Sequence, residues 1–316
     1  MNRISRWVFG LLLSAVFFSA QTRADPAVRF FVIGDVPYDE GEVLQLETLL
    51  ERELEKTLPF IAHVGDVKGG SSPCVDQTLR RIAELFRAQP VPVVYTPGDN
   101  EWTDCRKPAA GGYDPMERLE RVRRLFYAEP AVLRLNALNA EQPDSDFPEN
   151  YFFLHNGVLF VAVHVVGSHN NMVPNDVSAM AEFEARSAAN RRHLLGAVKT
   201  ANAVNASALV LLFHANPGLE SSTAPRGFGP FREDLAAVLQ GYAGPVLAVH
   251  GDRHRYKLDN PLKDPSTGEI KTRFTRLEVP GSPVVAGVWV SVNPGERQVF
   301  DVEIAYPSAH ELLMED

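Results

Sequence analysis

Four apolar runs in this chain stop at a Gly-Asp step: RFFVIG at Asp35, FIAHVG at Asp66, VVYTPG at Asp99 and VLAVHG at Asp252. A fifth run, ALVLLF, stops at His214, and His254 stands two residues beyond Asp252. One such step has an ordinary explanation, because Gly permits a tight turn and Asp starts turns or caps the next helix. Four of them with two well-placed histidines exceed what capping requires. A parallel sheet gathers the C-terminal ends of its strands along one edge, so these side chains are expected to converge there. Carboxylates and imidazoles at that density suit Mn, Fe or Zn, one ion or two. A pair of ions about 3.5–4 Å apart can share a carboxylate, grip a phosphate and activate a water.

The elements needed to position them can be read from the hydrophobic pattern. Strand-like runs over 28–34, 59–64, 91–96, 207–213 and 245–250 alternate with helical patterns over 41–57, 75–88, 115–127, 176–201 and 230–240. That alternation is the signature of βαβ units. Tyr151–Leu154 and Val158–Val163 flank His155-Asn156-Gly157, a hairpin signal. After Asp252 come four strand-like runs, Tyr256–Leu258, Thr272–Val279, Val284–Val292 and Arg297–Ala305, with turns and no helix between them. The expectation is an α/β chain that finishes as an antiparallel meander, built as two packed mixed sheets with helices outside. Two long loops remain. Pro97 to Pro115 follows a candidate ligand and is placed over the site mouth, whereas Ala128 to Asn150 reads as polar surface.

The first residues read as an export signal: Arg3 and Arg6, a short apolar run from Trp7 to Phe18, then Thr22-Arg23-Ala24. That run is too short to span a bilayer, which takes ~20 apolar residues. The expected product is a periplasmic or secreted single domain over 25–316, after removal of 1–24 and without a membrane span. A formal net charge of −9 argues against nucleic acid as a standing partner, since phosphate contacts need clustered Lys and Arg. A small phosphorylated substrate remains compatible. In an oxidising compartment Cys74 and Cys105, the two cysteines of the chain, are expected to pair. Each lies in the loop after a Gly-Asp step, so the bridge would brace the rim of the site.

The order Gly-Asp, Gly-Asp, Gly-Asp-Asn-Glu, isolated His, Gly-Asp-Arg-His resembles the calcineurin-like metallophosphoesterases over nearly the whole mature chain. Their pattern is Asp-x-His, Gly-Asp-x-x-Asp, Gly-Asn-His-Glu/Asp, His, Gly-His-x-His. The resemblance implies two central sheets flanked by helices and a metal-dependent phosphoric ester hydrolase. It implies that Asp35 and His254 bind a first ion, that Asp66 bridges, and that Asp99 and His214 hold a second, with Asp252 a further metal ligand. The departures are Pro37 and Gly69 at ligand positions, Asp99 for an Asn, Asp252 for a His, and Asn100 where the family has the His that assists the leaving group. Tyr38 is a possible extra ligand. His250 and His169 are candidate acids, and His169 and Asn170 candidate substrate contacts. Lys68, Arg106 and Arg253 could neutralise phosphate oxygens, Arg in a bidentate manner. Arg253 lies between two candidate ligands.

The competing reading, from Pro37 and Asn100, is a binding protein that keeps the fold and has lost turnover. His63, His155, His164 and His193 are set aside, the first and third as strand histidines and the last as a solvated helix residue. Trp102 reads as a packing anchor.

Overall fold

The computed structural model describes residues 28–54, 58–264 and 266–307. The expected signal peptide over 1–24 lies outside them. Strand β1 (Val28–Ile33) is the centre of the first sheet, and its alternate side chains are buried on both faces. Parallel strands β2 (Ile61–His63) and β3 (Val93–Tyr95) extend it on one side. Antiparallel β10 (Gly287–Val292) and β11 (Phe300–Ala305) extend it on the other, giving the order β11-β10-β1-β2-β3. The second sheet runs β4-β5-β6-β7-β9-β8. Its strands are β4 (Tyr151–His155), β5 (Val158–Ala162), β6 (Ala208–Leu212), β7 (Val246–His250), β8 (Lys257–Asp259) and β9 (Phe274–Glu278). The four inner strands are parallel, and β4 and β8 close the edges antiparallel.

Three layers of apolar packing hold this together. Between the sheets, Phe30, Phe60, Phe153 and Phe160 form an aromatic cluster with ring centroids 5.0–5.3 Å apart. Outside the first sheet, helices α1 (Glu40–Leu54) and α2 (Asp76–Ala88) bury Leu46, Leu49, Leu79 and Phe86, joined by Val122 of α3 (Pro115–Val122). Outside the second, α4 (Val177–Ala203) and α5 (Gly229–Gly241) bury Leu194, Val198, Leu235 and Val238. This is the expected α/β/β/α sandwich. The hairpin at Asn156-Gly157 forms as its sequence demands, with φ of 45° and 79°.

The C-terminal strands differ from the expected meander. They form two antiparallel pairs, β8 with β9 and β10 with β11, which belong to different sheets. β9 adds parallel to β7, and β10 inserts antiparallel beside β1. Each pair buries the edge of a parallel sheet that the preceding βαβ units leave open, which turn spacing alone does not encode. Two further expectations are corrected. His193 is buried with Nε2 2.9 Å from the Ala162 carbonyl, so it pins α4 to β5 instead of facing solvent. The 128–150 loop is not all surface: Glu149 is buried between Arg123 and His164, and Asn150 receives the His164 amide at 2.9 Å. Among the described residues, no helix is long and apolar enough to cross a membrane.

Candidate metal centre

At the shared C-terminal edge the two sheets bring Asp35, Asp66, Asp99, His214, Asp252 and His254 together. Strand ends in the two sheets are stitched across by His214, whose Nδ1 lies 2.9 Å from the Val64 carbonyl, and by the Asp252 amide, which donates to Asp35 Oδ1 at 3.0 Å. Gly in the Gly-Asp steps is explained by this crowding. A Cβ on Gly98 would strike the Asp66 carboxylate, and one on Gly251 would strike that of Asp35. Asp35, Asp66, Asp252 and His254 all have positive φ, of 55°, 57°, 81° and 57°. Asp tolerates that region better than most residues, and the concentration of it marks a functional edge.

Oxygen and imidazole donors form two groups that share His214: Asp35, Asp66 and His214, and Asp99, His214 and Asp252, with one ligand atom from each within 4.8 Å of the others. His214 Nε2 lies 3.1 Å from Asp99 Oδ1, 3.4 Å from Asp66 Oδ1 and 3.9 Å from Asp252 Oδ1. His254 Nε2 lies 3.4 Å from Asp35 Oδ1 and 3.0 Å from the Tyr38 hydroxyl, and its Nδ1 is 2.7 Å from the Ser282 carbonyl. A carbonyl only accepts, so both Nδ1 atoms carry hydrogen and donate. Each Nε2 is thereby presented toward carboxylate oxygens that also only accept. A metal ion resolves that conflict, and a carbonyl fixing the tautomer is the usual support of a ligand histidine.

Electrostatics point the same way. Burial pushes the Asp35, Asp66 and Asp252 carboxyls up, reinforced by their acidic neighbours and opposed by His214. Burial also acts to raise Asp99, but the hydrogen bond and charge of His214 and the Ser168 hydroxyl hold it below its usual value. Burial disfavours a charged His214, yet the surrounding aspartates push its imidazole well above the ordinary range. The cluster demands positive charge at Nε2, which a proton or a metal ion can supply. The donor set therefore fits a metal in its two groups, Asp35, Asp66 and His214, and Asp99, His214 and Asp252.

Tyr38 enters between these halves. Its hydroxyl is 3.2 Å from Asp66 Oδ2 and receives the Asn100 amide at 3.3 Å, while the Asn100 backbone N–H donates to Asp66 Oδ1 at 2.9 Å. Lys68 is buried beside the acids with Nζ 2.9 Å from the Gly69 carbonyl, and burial pushes its pKa down. Arg253 is exposed next to Asp252.

Three expected site residues are committed elsewhere. His250 is buried, stacked on Phe213 with centroids 5.5 Å apart and Nδ1 2.9 Å from the Gly251 carbonyl, and burial lowers its pKa to about 3. A group so hard to protonate is no acid. The Asn170 side chain is consumed by the Val166 amide, Arg186 and the Gly227 carbonyl. Arg106 donates to the Thr103 carbonyl and to Asn171. Among the residues the sequence reading missed, Glu101 supports the Asp66 turn by accepting from the Val67 amide at 3.0 Å and the Tyr95 hydroxyl at 2.9 Å. Asn216 holds Asp252 through its amide at 2.9 Å, and Glu278 in turn accepts from the Asn216 side chain at 3.1 Å. Glu101 stood inside a motif already in view, whereas Asn216 and Glu278 carried no local signal.

Cys74 and Cys105 form the expected disulfide. Trp102 is buried against His164 and Arg186, an anchor as read.

No protein-family model and no curated protein matches the chain. Solved structures do. A dimetal phosphatase from Danio rerio aligns over 90% of this chain and 98% of its own at 12% identity, with a TM-score of 0.56. PhoD aligns over 90% and 69% at 13% identity, TM-score 0.51. A purple acid phosphatase from yellow lupin (Lupinus luteus) seeds aligns over 88% and 54% at 14% identity, TM-score 0.50. The chain shares its fold with these structures.

Proposed function

We propose that the chain is an exported, metal-dependent phosphoesterase that hydrolyses a small phosphate ester with water. The observation that supports this most is the pair of imidazoles, His214 and His254, each with Nδ1 tied to a carbonyl, the His214 Nε2 turned toward Asp66, Asp99 and Asp252 and the His254 Nε2 toward Asp35. In this reading Asp35 and His254 hold a first ion, Asp66 bridges, and Asp99, His214 and Asp252 hold a second. Tyr38 completes the first position, where Pro37 offers no donor. Bound ions would supply Lewis acidity and an activated water. The chain's own groups orient the rest. Arg253 and Lys68 balance phosphate charge, and Asn100, held by Tyr38 and Asp66, keeps the bridging carboxylate in place. The dimetal character named for the zebrafish phosphatase agrees with two ions. Export is supported by the N-terminal pattern and by a disulfide, which persists in oxidising compartments.

The test combines elemental analysis with hydrolysis of 4-nitrophenyl phosphate and bis(4-nitrophenyl) phosphate by the purified chain with Mn, Zn or Fe. Two equivalents of metal and turnover that Asp66→Asn abolishes support the reading. One equivalent or none, without turnover on either ester, favours the competing reading, a metallophosphoesterase fold that binds without catalysing. Pro37 and Asn100 are the observations on that side.

A further inference from the structure

We propose that Ser168 is a positioning residue of the metal centre. Its hydroxyl occupies one oxygen of Asp99, so that this carboxylate offers a single oxygen to the ion, and it thereby sets which cation the second position accepts. The assignment rests on the metal-binding half of the reading above and is independent of turnover.

Three donors make up that position, Asp99, His214 and Asp252. His214 Nε2 lies 3.1 Å from Asp99 Oδ1 and 3.9 Å from Asp252 Oδ1. The same two oxygens crowd Gly167, where a Cβ would collide with both. They therefore share one small volume, and bare backbone is all that fits beside it. The other oxygen of each carboxylate is taken by the protein. Asp252 Oδ2 accepts the Asn216 amide at 2.9 Å, and Asp99 Oδ2 lies 2.9 Å from the Ser168 hydroxyl. Each aspartate is thus held with one oxygen toward the imidazole and one toward a protein donor. The other group differs. Both Asp35 oxygens accept the Asp252 amide, at 3.0 and 3.1 Å, and Asp66 has Oδ1 on the Asn100 amide and Oδ2 beside the Tyr38 hydroxyl.

Ser168 is delivered to Asp99 by a turn held against its preference. Its φ is 47°, in the left-handed region that L-residues other than Asn and Asp avoid, and exposed His169, Asn170 and Asn171 follow at 60°, 55° and 59°. Contacts at both ends hold the run. Buried Arg186 donates to the Asn170 side chain at 2.6 Å and to its carbonyl at 2.9 Å. At the other end Ser168 Oγ lies 2.6 Å from Asp104 Oδ1. Asp104 is fixed in turn by Lys107, and its amide donates to the Asp99 carbonyl at 3.0 Å. Next to it in the chain, Cys105 is bridged to Cys74. Strain of this kind persists where the surroundings over-determine it, and it clusters at working sites. Here it puts a hydroxyl against a candidate metal ligand.

The number of oxygens that a carboxylate offers bears on the choice of cation. Ca takes about six to eight oxygen ligands and readily uses both oxygens of a carboxylate. Zn takes about four ligands and is satisfied by imidazole and single oxygens. One imidazole and two single carboxylate oxygens therefore suit Zn, leave room for water or a phosphate oxygen, and leave Ca short of ligands. Asp99 stands where the resembling motif has Asn, which owns only one oxygen. Ser168 makes the aspartate present one.

The experiment titrates the purified full chain with Zn and, separately, with Ca, against a competing chelator, for wild type, Ser168→Ala and Ser168→Gly. Ala keeps the strained φ and Gly adopts it freely, so an effect common to both belongs to the hydroxyl. Both variants should lose roughly 10-fold in Zn affinity at one position, the scale of losing an outer contact to a metal ligand. Ca affinity should hold or rise, so the preference for Zn over Ca narrows by at least the same factor. With Co in place of Zn, the visible absorption band of both variants should shift as the coordination number changes. Equal losses for Zn and Ca, no change in either, a change in only one variant, or an unshifted Co band overturns the proposal. So does a wild type that binds Ca as tightly as Zn. A wild type that takes up no Zn, Mn or Fe overturns the metal reading, and the role of Ser168 falls with it. Bound metal without hydrolysis of either nitrophenyl ester overturns the phosphoesterase reading alone.

Discussion

Asp66 accepts the Asn100 amide, sits 3.4 Å from His214 and 3.2 Å from Tyr38, and so touches both halves of the centre. Asp66→Asn keeps shape and removes charge; it should cut turnover by about 10²-fold or more, the scale of losing one preorganised electrostatic contact. Metal content by elemental analysis should fall with it. Tyr38→Phe should be milder, with roughly 10-fold weaker metal binding and an intact second position, read by titration with Mn or Zn. Glu278 poses a different question. It is buried, its Oε1 has no partner among the described residues, and burial raises its pKa to about 7. A carboxyl raised in the folded state stabilises below its unfolded pKa, about 4.3, and that contribution is lost as pH rises through 7. Glu278→Gln has no such loss. The stability of the variant relative to wild type, from denaturant unfolding in chelator, should therefore rise between about pH 4.5 and 7 and then level off. A flat difference would mean that Glu278 is already ionised in the fold.

Among the elements, the loops after β2 and β3 carry Asp66 and Asp99, and the Cys74–Cys105 bridge closes a 31-residue separation between them. By chain entropy a closure of that length is worth roughly 3–4 kcal/mol. The double change Cys74→Ala with Cys105→Ala should lower unfolding free energy by that amount, measured by denaturant midpoints, and should loosen metal binding because Asp104 and Asn100 share the braced segment. The elements legible from sequence were those whose signal is local. The apolar runs at 28–34, 207–213 and 245–250 needed no partner to be read as strands, and convergence of the four aspartates followed from parallel strands ending in Gly-Asp. What was not legible depends on distant residues. Nothing near β9 or β10 says which sheet each joins, because the open edges they cover are made by chain hundreds of positions earlier in one case and by β7 in the other. His193 looked solvated beside two arginines until α4 was laid on β5. The left-handed turn at 168–171, where Ser168, His169, Asn170 and Asn171 all have positive φ, was invisible for the same reason: its conformation is held by Arg186, sixteen residues downstream of Asn170, and by Asp99.

At the scale of the whole molecule, the metal centre and the stability of the sandwich are one problem. Asp35, Asp66, Asp99 and Asp252 are drawn from both sheets, so closing the sandwich forces four carboxylates into one small, largely dry volume. Without a cation that is repulsive, and removing a partner from a buried charged cluster ordinarily costs several kcal/mol. Here the sign should depend on metal. In chelator Asp66→Asn relieves repulsion, so the variant should melt higher than wild type. With saturating Mn the wild type gains RT ln(1 + [L]/Kd), about 2.7 kcal/mol at a hundredfold excess over Kd, whereas the variant gains little because its shared ligand is gone. The two melting temperatures should therefore cross between the metal-free and metal-saturated conditions, a pattern that loss of packing cannot produce. Calorimetry of both proteins in both conditions is sufficient. If Asp66→Asn melts lower than wild type in chelator as well, the acidic residues are held by their protein neighbours alone, and the centre is not an arrangement awaiting a cation.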